Sequence, residues 1–202
     1  MPSFRYELLC EGRVAGIDEA GRGPLAGPVV AAVAVIDRRA AKRRLLKLIN
    51  DSKQLVVEDR EAAYEAMVSS GIVQFAVAEA TVEEIDRINI LQATFLAMRR
   101  ALQALADQPE VVLIDGNQVP PRLGCRAETI VGGDARSYSI AAASIFAKVT
   151  RDRYMAKLAE TFPGYGWETN RGYGSEQHLL ALQCLGPTPH HRMSFSPLSR
   201  LL

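Results

Sequence analysis

The chain has 202 residues, 48% of them hydrophobic, and a formal net charge of +1. That length fits one domain with a sizeable core, and the composition excludes a disordered chain. The near-neutral balance excludes a generally basic coat, so any nucleic-acid surface must be local.

Cys10, Cys125 and Cys184 are far apart and form no Cys-x-x-Cys spacing, which argues against a disulfide framework or a zinc site and fits a reducing cytoplasm. Arg5 and Glu7 stand where a signal peptide would be apolar. The longest uncharged apolar run, residues 23–36, holds two prolines and is too short to span a bilayer. A soluble, cytoplasmic, monomeric protein without a membrane partner is expected.

Residues 14–17 are an apolar lead-in that reads as a strand delivering Asp18 and Glu19 to its C-terminal end. Gly21, Gly23, Pro24, Gly27 and Pro28 follow; glycine lets the backbone approach a ligand, and proline fixes the turn. Acids beside an exposed Gly-rich backbone suit metal and phosphate chemistry, although a solvated turn favours the same residues. Residues 29–36 are continuously apolar and β-branched, a strand buried on both faces. A basic cluster comes next (Arg38, Arg39, Lys42, Arg43, Arg44 and Lys47), and the tail 187–202 contains no acid; such runs are commonly solvated faces.

Asp51 or Ser52, ahead of the polar, Glu-rich stretch 57–70, reads as a helix start. Residues 72–79 alternate as a strand. Thr81 with Glu84 three residues on reads as a capping box opening one long helix, buried along Phe95, Met98, Leu102 and Leu105. Residues 111–117 repeat the first strand's logic, a short buried strand ending in Asp115. A strand at 126–131 leads to Asp134 at the start of a helix rich in alanine, where it is either a helix cap or a site acid. Phe162 and Pro163 break that helix, Tyr173 sits in a Gly-rich turn, and 176–185 form a last helix.

The run from Asp18 through Glu19, Ala20, Gly21, Arg22, Gly23, Pro24, Leu25, Ala26, Gly27 to Pro28 resembles the signature of bacterial ribonuclease HII. The likeness extends over Asp51-Ser52-Lys53, Asp115-Gly116-Asn117, Gly133-Asp134 before the Ala-rich helix, and the ending at His191-Arg192. It departs at Gly132 and Met193, where a basic residue is usual in the family.

The resemblance implies a ribonuclease H-like α/β fold: a mixed central sheet with helices on both faces, a catalytic domain over 1–160, and a helical C-terminal segment over 161–202 packing on it as one unit. It implies that Asp18, Glu19, Asp115 and Asp134 form the catalytic, metal-binding set. It also places Gly21, Arg22, Gly23, Ser52, Lys53 and Tyr173 against substrate, with Tyr173 stacking on the sugar beside the scissile ribonucleotide. For Ser52 and Lys53 the alternative is a cap and a surface lysine.

Clustered carboxylates repel one another, and bound cations remove that cost. Oxygen ligands without His or Cys favour two Mg²⁺ or Mn²⁺ ions over zinc. The expected activity is endonucleolytic cutting of the RNA strand of RNA–DNA hybrids, and cutting 5′ to single ribonucleotides in duplex DNA, leaving 3′-hydroxyl and 5′-phosphate ends. Two alternatives remain: a ribonuclease HIII-like enzyme, and a non-catalytic nucleic-acid-binding module on the same fold. A replication-clamp motif at 198–202 is too generic to decide. Adjacent strand residues point to opposite faces, so Asp18 and Glu19 can share a metal only if the strand becomes irregular there.

Overall fold

The structure is a computed structural model and describes residues 1–200. A short helix α1 (Arg5–Leu8) precedes β1 (Val14–Ala20) and β2 (Val29–Ile36). Helices α2 (Arg43–Leu46) and α3 (Val57–Ser69) lead to β3 (Val73–Ala80), then α4 (Val82–Ile88) and α5 (Ile90–Ala104). Strands β4 (Val111–Asp115) and β5 (Arg126–Ile130) are followed by the long helix α6 (Tyr138–Thr161), then α7 (Trp167–Asn170) and α8 (Glu176–Leu185). The five strands lie in the order β3-β2-β1-β4-β5. Strand β1 pairs antiparallel with β2 and parallel with β4, which makes the sheet mixed.

The strands alternate between two cores. Ala15, Ile17, Val29, Ala31 and Val33 face α5 through Phe95, Met98 and Leu102. Ala32, Ala34 and Ile36 face α6, where Phe146 stacks on Phe75 with ring centroids 3.9 Å apart. Burying an aliphatic side chain of this kind contributes about 2 kcal/mol. Helix α6 presses closest at Gly16, where a Cβ would lie 2.2 Å from the backbone of Ser139 and Ile140. The small residues of α6 thus serve a real close approach, and they fix the height at which the turn preceding α6 sits above the sheet.

Two expectations need correction, and one open alternative closes. The helix after Thr81 is two helices, not one: Asn89 adopts φ 67°, ends α4, and accepts from the N–H groups of Leu91 and Gln92 to start α5. The capping box of Thr81 and Glu84 is present as expected. Helix α3 covers Val57–Ser69, close to the stretch expected, but its N-cap is Val56, and Asp51 instead caps a turn by accepting from the Lys53 N–H. Finally, α6 is capped by Ser137, while Asp134 lies ahead of it in the 3-10 turn Gly133–Ala135. Asp134 is therefore not the helix cap.

The segment after α6 packs on the Gly-rich stretch of the first strand's turn: Trp167, Tyr165, Leu182 and Leu198 share a core with Leu25, Ala26 and Met155. The stretch 198–202, left open as a clamp motif, lies partly outside the described residues, and Leu198 is fully buried in that core. Among the described residues no helix is long and apolar enough to cross a membrane. The cysteines are all free.

Candidate metal and nucleic-acid site

The register of the sheet builds the site. Ile17 pairs with Ile114 across the parallel β1–β4 ladder, so Asp18 and Asp115 stand side by side one residue further, at the carboxyl ends of both strands. Ligand sites in parallel α/β sheets lie at that end. The turn between β5 and α6 brings in Asp134. Carboxylate oxygens of Asp18, Asp115 and Asp134 all lie within 4.8 Å of one another.

Each acid is held differently. Asp115 Oδ1 accepts from the Gly133 N–H at 2.7 Å, which ties β4 to the turn carrying Asp134. Asp134 Oδ1 accepts from the Ala135 N–H at 2.9 Å, and its Oδ2 accepts from Lys53 Nζ at 3.2 Å. Asp18, only 3% exposed, accepts from the Glu19 N–H with Oδ1, while its Oδ2 is buried with no partner. Burial first, then the charges of Glu19 and Asp115, push the Asp18 carboxyl well above the usual range. Burial also raises Asp115, with the charge of Asp134 adding to it. An orphaned buried carboxylate oxygen within an all-oxygen trio fits a hard divalent cation.

Glu19 is not one of the three acids within 4.8 Å, yet it lines the same cavity as Asp18 and Asp115 and its charge acts on both. Strand β1 stays regular through Ala20, with Glu19 opposite Ala31 and Ala20 opposite Val30. Alternation therefore turns Glu19 to the α5 side, into a recess with Leu91, Phe95 and Met98. It pairs there with Arg22 at 3.3 Å, and burial raises its carboxyl. The glycines that were expected to free the strand come too late to bend it at Glu19.

A cavity of about 450 Å³ opens over Asp18, Glu19 and Asp115, bounded by the Gly21–Gly23 turn, Ser52, Lys53, Lys148 and Tyr173. A larger recess of about 670 Å³ lies at the other end of the sheet, around Arg13 and Arg38, and contains no acid trio. Of the expected substrate contacts, Lys53 is exposed and points at Asp134. Ser52 does not offer a free hydroxyl: it is buried, and its Oγ bonds Ser144 Oγ at 2.8 Å. Tyr173 is 48% exposed, and its ring stands 3.6 Å from where a Gly23 side chain would begin.

Two residues hold the turn in a role that the sequence did not show. Arg192, fully buried, donates to the carbonyls of Gly21 at 2.6 Å and Arg22 at 2.9 Å, and twice to Gly27. Arg151 donates to the carbonyls of Pro28, Ala26 and Arg171. Burial lowers Arg192 to about 9 and Arg151 to about 10. Gly21 is required by this arrangement: its φ is 95°, and a Cβ would lie 2.0 Å from Arg151 Nε. The acid-free tail is thus no nucleic-acid surface at Arg192, and Met193 is spent on the C-terminal core, its N–H donating to Asp86. Lys148, a cation in the cavity wall, pairs with Asp152 at 2.7 Å. Gly132, where a basic residue was expected, adopts φ 64° with open space around it.

The sequence profile of the family described as Ribonuclease HII matches residues 15–197. A ribonuclease HII from Rhodospirillum rubrum is 55% identical over 202 residues, covering 100% of this chain and 92% of that one. The crystal structure of ribonuclease H2 from Pyrococcus horikoshii superposes with a TM-score of 0.76 at 30% identity, covering 94% of this chain and 96% of that one. A PCNA:RNase HII complex from Archaeoglobus fulgidus contains a chain similar at TM-score 0.75 and 28% identity, with 91% and 95% covered.

Proposed function

The chain belongs to the ribonuclease HII family, and on that footing we propose that it cuts the RNA strand of RNA–DNA hybrids and nicks duplex DNA 5′ to single embedded ribonucleotides. It is a ribonuclease H-type hydrolase. The observation that carries the reading is the trio of Asp18, Asp115 and Asp134, gathered from three separate elements into one anionic pocket under an open cavity.

Asp18, Asp115 and Asp134 would hold Mg²⁺ or Mn²⁺, with Glu19 as the adjacent fourth acid. Two such ions, when bound, supply an activated water and neutralise charge on the leaving 3′-oxygen. The remaining work belongs to the chain. Asp115 and Asp134 are locked to the β5–α6 turn by backbone N–H groups, so the pocket is preorganised. Lys53 reaches from the rim toward the same acids and is placed to meet a phosphate.

The Gly21–Gly23 backbone is the element close enough to a sugar to read its 2′-hydroxyl, the group that separates RNA from DNA. Arg192 already occupies the Gly21 and Arg22 carbonyls, which leaves the N–H groups of this turn as the better-placed partners. Tyr173, beside Gly23, packs on the neighbouring sugar.

A labelled duplex with one ribonucleotide tests this reading. With Mg²⁺ or Mn²⁺ present, one nick should form 5′ to the ribonucleotide, leaving 3′-hydroxyl and 5′-phosphate ends, and EDTA should abolish it. Cleavage in EDTA, or products with a 2′,3′-cyclic phosphate, would overturn it.

A further inference from the structure

Behind Tyr173 lies a chain of buried imidazoles whose protons can be assigned from the bonding alone. The Tyr173 carbonyl can only accept, so His178 Nδ1, 2.8 Å away, must carry a hydrogen. Trp167 Nε1 can only donate, and it points at His178 Nε2 at 3.1 Å, so that nitrogen is bare. The Thr188 N–H donates to His191 Nδ1 at 2.9 Å, so that nitrogen is bare as well. A neutral His191 then carries its hydrogen on Nε2 and donates it to His178 Nε2 at 3.0 Å.

His178 Nε2 thus receives both N–H groups on its single lone pair, and a proton added there would set N–H against N–H; His191 Nδ1 also lies 3.0 Å from Thr188 Oγ1. Both rings are buried. Burial lowers His178, and burial together with the neighbouring His178 lowers His191 to about 4.

The far end of this chain is anchored to the Gly-rich turn. Gly27 N–H donates to the His190 carbonyl at 2.9 Å, and Arg192 N–H donates to the Leu25 carbonyl at 2.8 Å. The backbone on either side of His191 is thus tied to the Gly-rich stretch at Leu25 and Gly27, and the imidazole pair runs from there to the carbonyl of the tyrosine that stands against Gly23.

We propose that His178, oriented by His191 and Trp167, is a positioning residue that sets Tyr173 against the sugar and so fixes the preference for an embedded ribonucleotide over a continuous hybrid. The proposal rests on the reading of Tyr173 as a sugar contact. A merely structural histidine pair would be served by any substitution that keeps the core filled. A positioning role needs one bond in particular, the donation to Tyr173.

His178→Asn and His178→Gln separate these, because Asn places its amide near Nδ1 and Gln places its own near Nε2. The readout is the ratio of kcat/KM on a duplex with one ribonucleotide to that on a continuous hybrid, alongside Tyr173→Ala and the double variant Tyr173→Ala/His178→Gln. His178→Gln should lower the ratio roughly tenfold, the scale of one buried hydrogen bond. His178→Asn should keep it, and His178→Gln should add nothing in the Tyr173→Ala background.

A ratio lowered by Tyr173→Ala but unchanged by His178→Gln overturns the proposal and leaves Tyr173's role standing. A ratio unmoved by Tyr173→Ala overturns that role and the proposal with it. On the unaltered protein, ¹⁵N spectra at pH 6 should show two neutral rings, His178 protonated at Nδ1 and His191 at Nε2. An imidazolium or the opposite tautomers would overturn the assignment without any variant having to fold.

Discussion

Lys53 Nζ lies 3.2 Å from Asp134 Oδ2, so a side chain from the turn before α3 partly neutralises an acid delivered from beyond β5. Asp134 is almost fully buried, whereas Lys53 is largely exposed. The lysine is therefore a mobile counter-charge at a fixed carboxylate, able to leave when a metal ion or a phosphate arrives. Lys53→Ala should raise Mn²⁺ affinity several-fold without substrate, because a competing cation is gone, while lowering kcat/KM about tenfold through the lost phosphate contact. Titration calorimetry and steady-state kinetics check the two halves. Unchanged metal affinity would show that Lys53 does not compete for the acids.

Asp18 carries an unpartnered, buried carboxylate oxygen. Its raised carboxyl means that the folded protein holds this proton more tightly than the unfolded chain does. Asp18 thus costs stability as pH rises past the ordinary carboxylate range. Asp18→Asn should stabilise the metal-free protein at pH 7 by about 1–2 kcal/mol. It should also remove the rise in Tm that Mg²⁺ gives the wild type, and slow cleavage about a thousandfold. Thermal melts with and without Mg²⁺ decide this; a metal-induced shift that survives in the variant would count against Asp18 as a ligand.

Arg192 holds three carbonyls of the Gly-rich turn. Arg192→Lys keeps the charge but loses the planar fork, leaving carbonyls unsatisfied. A loss of about 3 kcal/mol in denaturant melts is expected, with activity lost on single-ribonucleotide and hybrid substrates alike. A variant within about 0.5 kcal/mol of wild type would remove Arg192 from this role.

His191 titrates at about 4 in the folded protein because burial disfavours its charged form. The unfolded chain takes up that proton first as pH falls from about 6.5, so stability drops with falling pH at about 1.4 kcal/mol per pH unit for this one group. His178 is shifted in the same direction. Denaturant midpoints at pH 6.5 and 5.0, with Mg²⁺ present to keep the acids ionised, should fall at the lower pH. An equal or higher midpoint would contradict the neutral pair.

Most of the sheet was legible because its strands are short apolar runs closed by Asp, Gly or Pro, as at 29–36 and 111–115. The site acids Asp18 and Asp115 were visible as strand-terminal carboxylates, but their adjacency depends on the β1–β4 register, which no local pattern encodes. The direction of Glu19 followed from alternation alone. The break at Asn89 was hidden because the apolar spacing continues across it; only the tolerance of Asn for positive φ hinted at it. Arg192 and Arg151 were illegible for a different reason. A buried arginine satisfied by carbonyls has no acidic partner in the sequence to announce it, and an acid-free tail reads the same whether it faces solvent or the core. The imidazole pair likewise joins residues 178 and 191 through space, in a segment whose sequence shows only a helix and a Pro-rich ending.

The central claim is that the acidic trio holds divalent ions against the scissile phosphate, and sulfur substitution tests it most directly. Each non-bridging oxygen of the phosphate 5′ to a single ribonucleotide is replaced in turn, and single-turnover rates are compared in Mg²⁺ and Mn²⁺. At one of the two positions sulfur should slow cleavage strongly in Mg²⁺ and be rescued by the more thiophilic Mn²⁺. The same small effect in both metals at both positions would contradict direct metal contact with the phosphate.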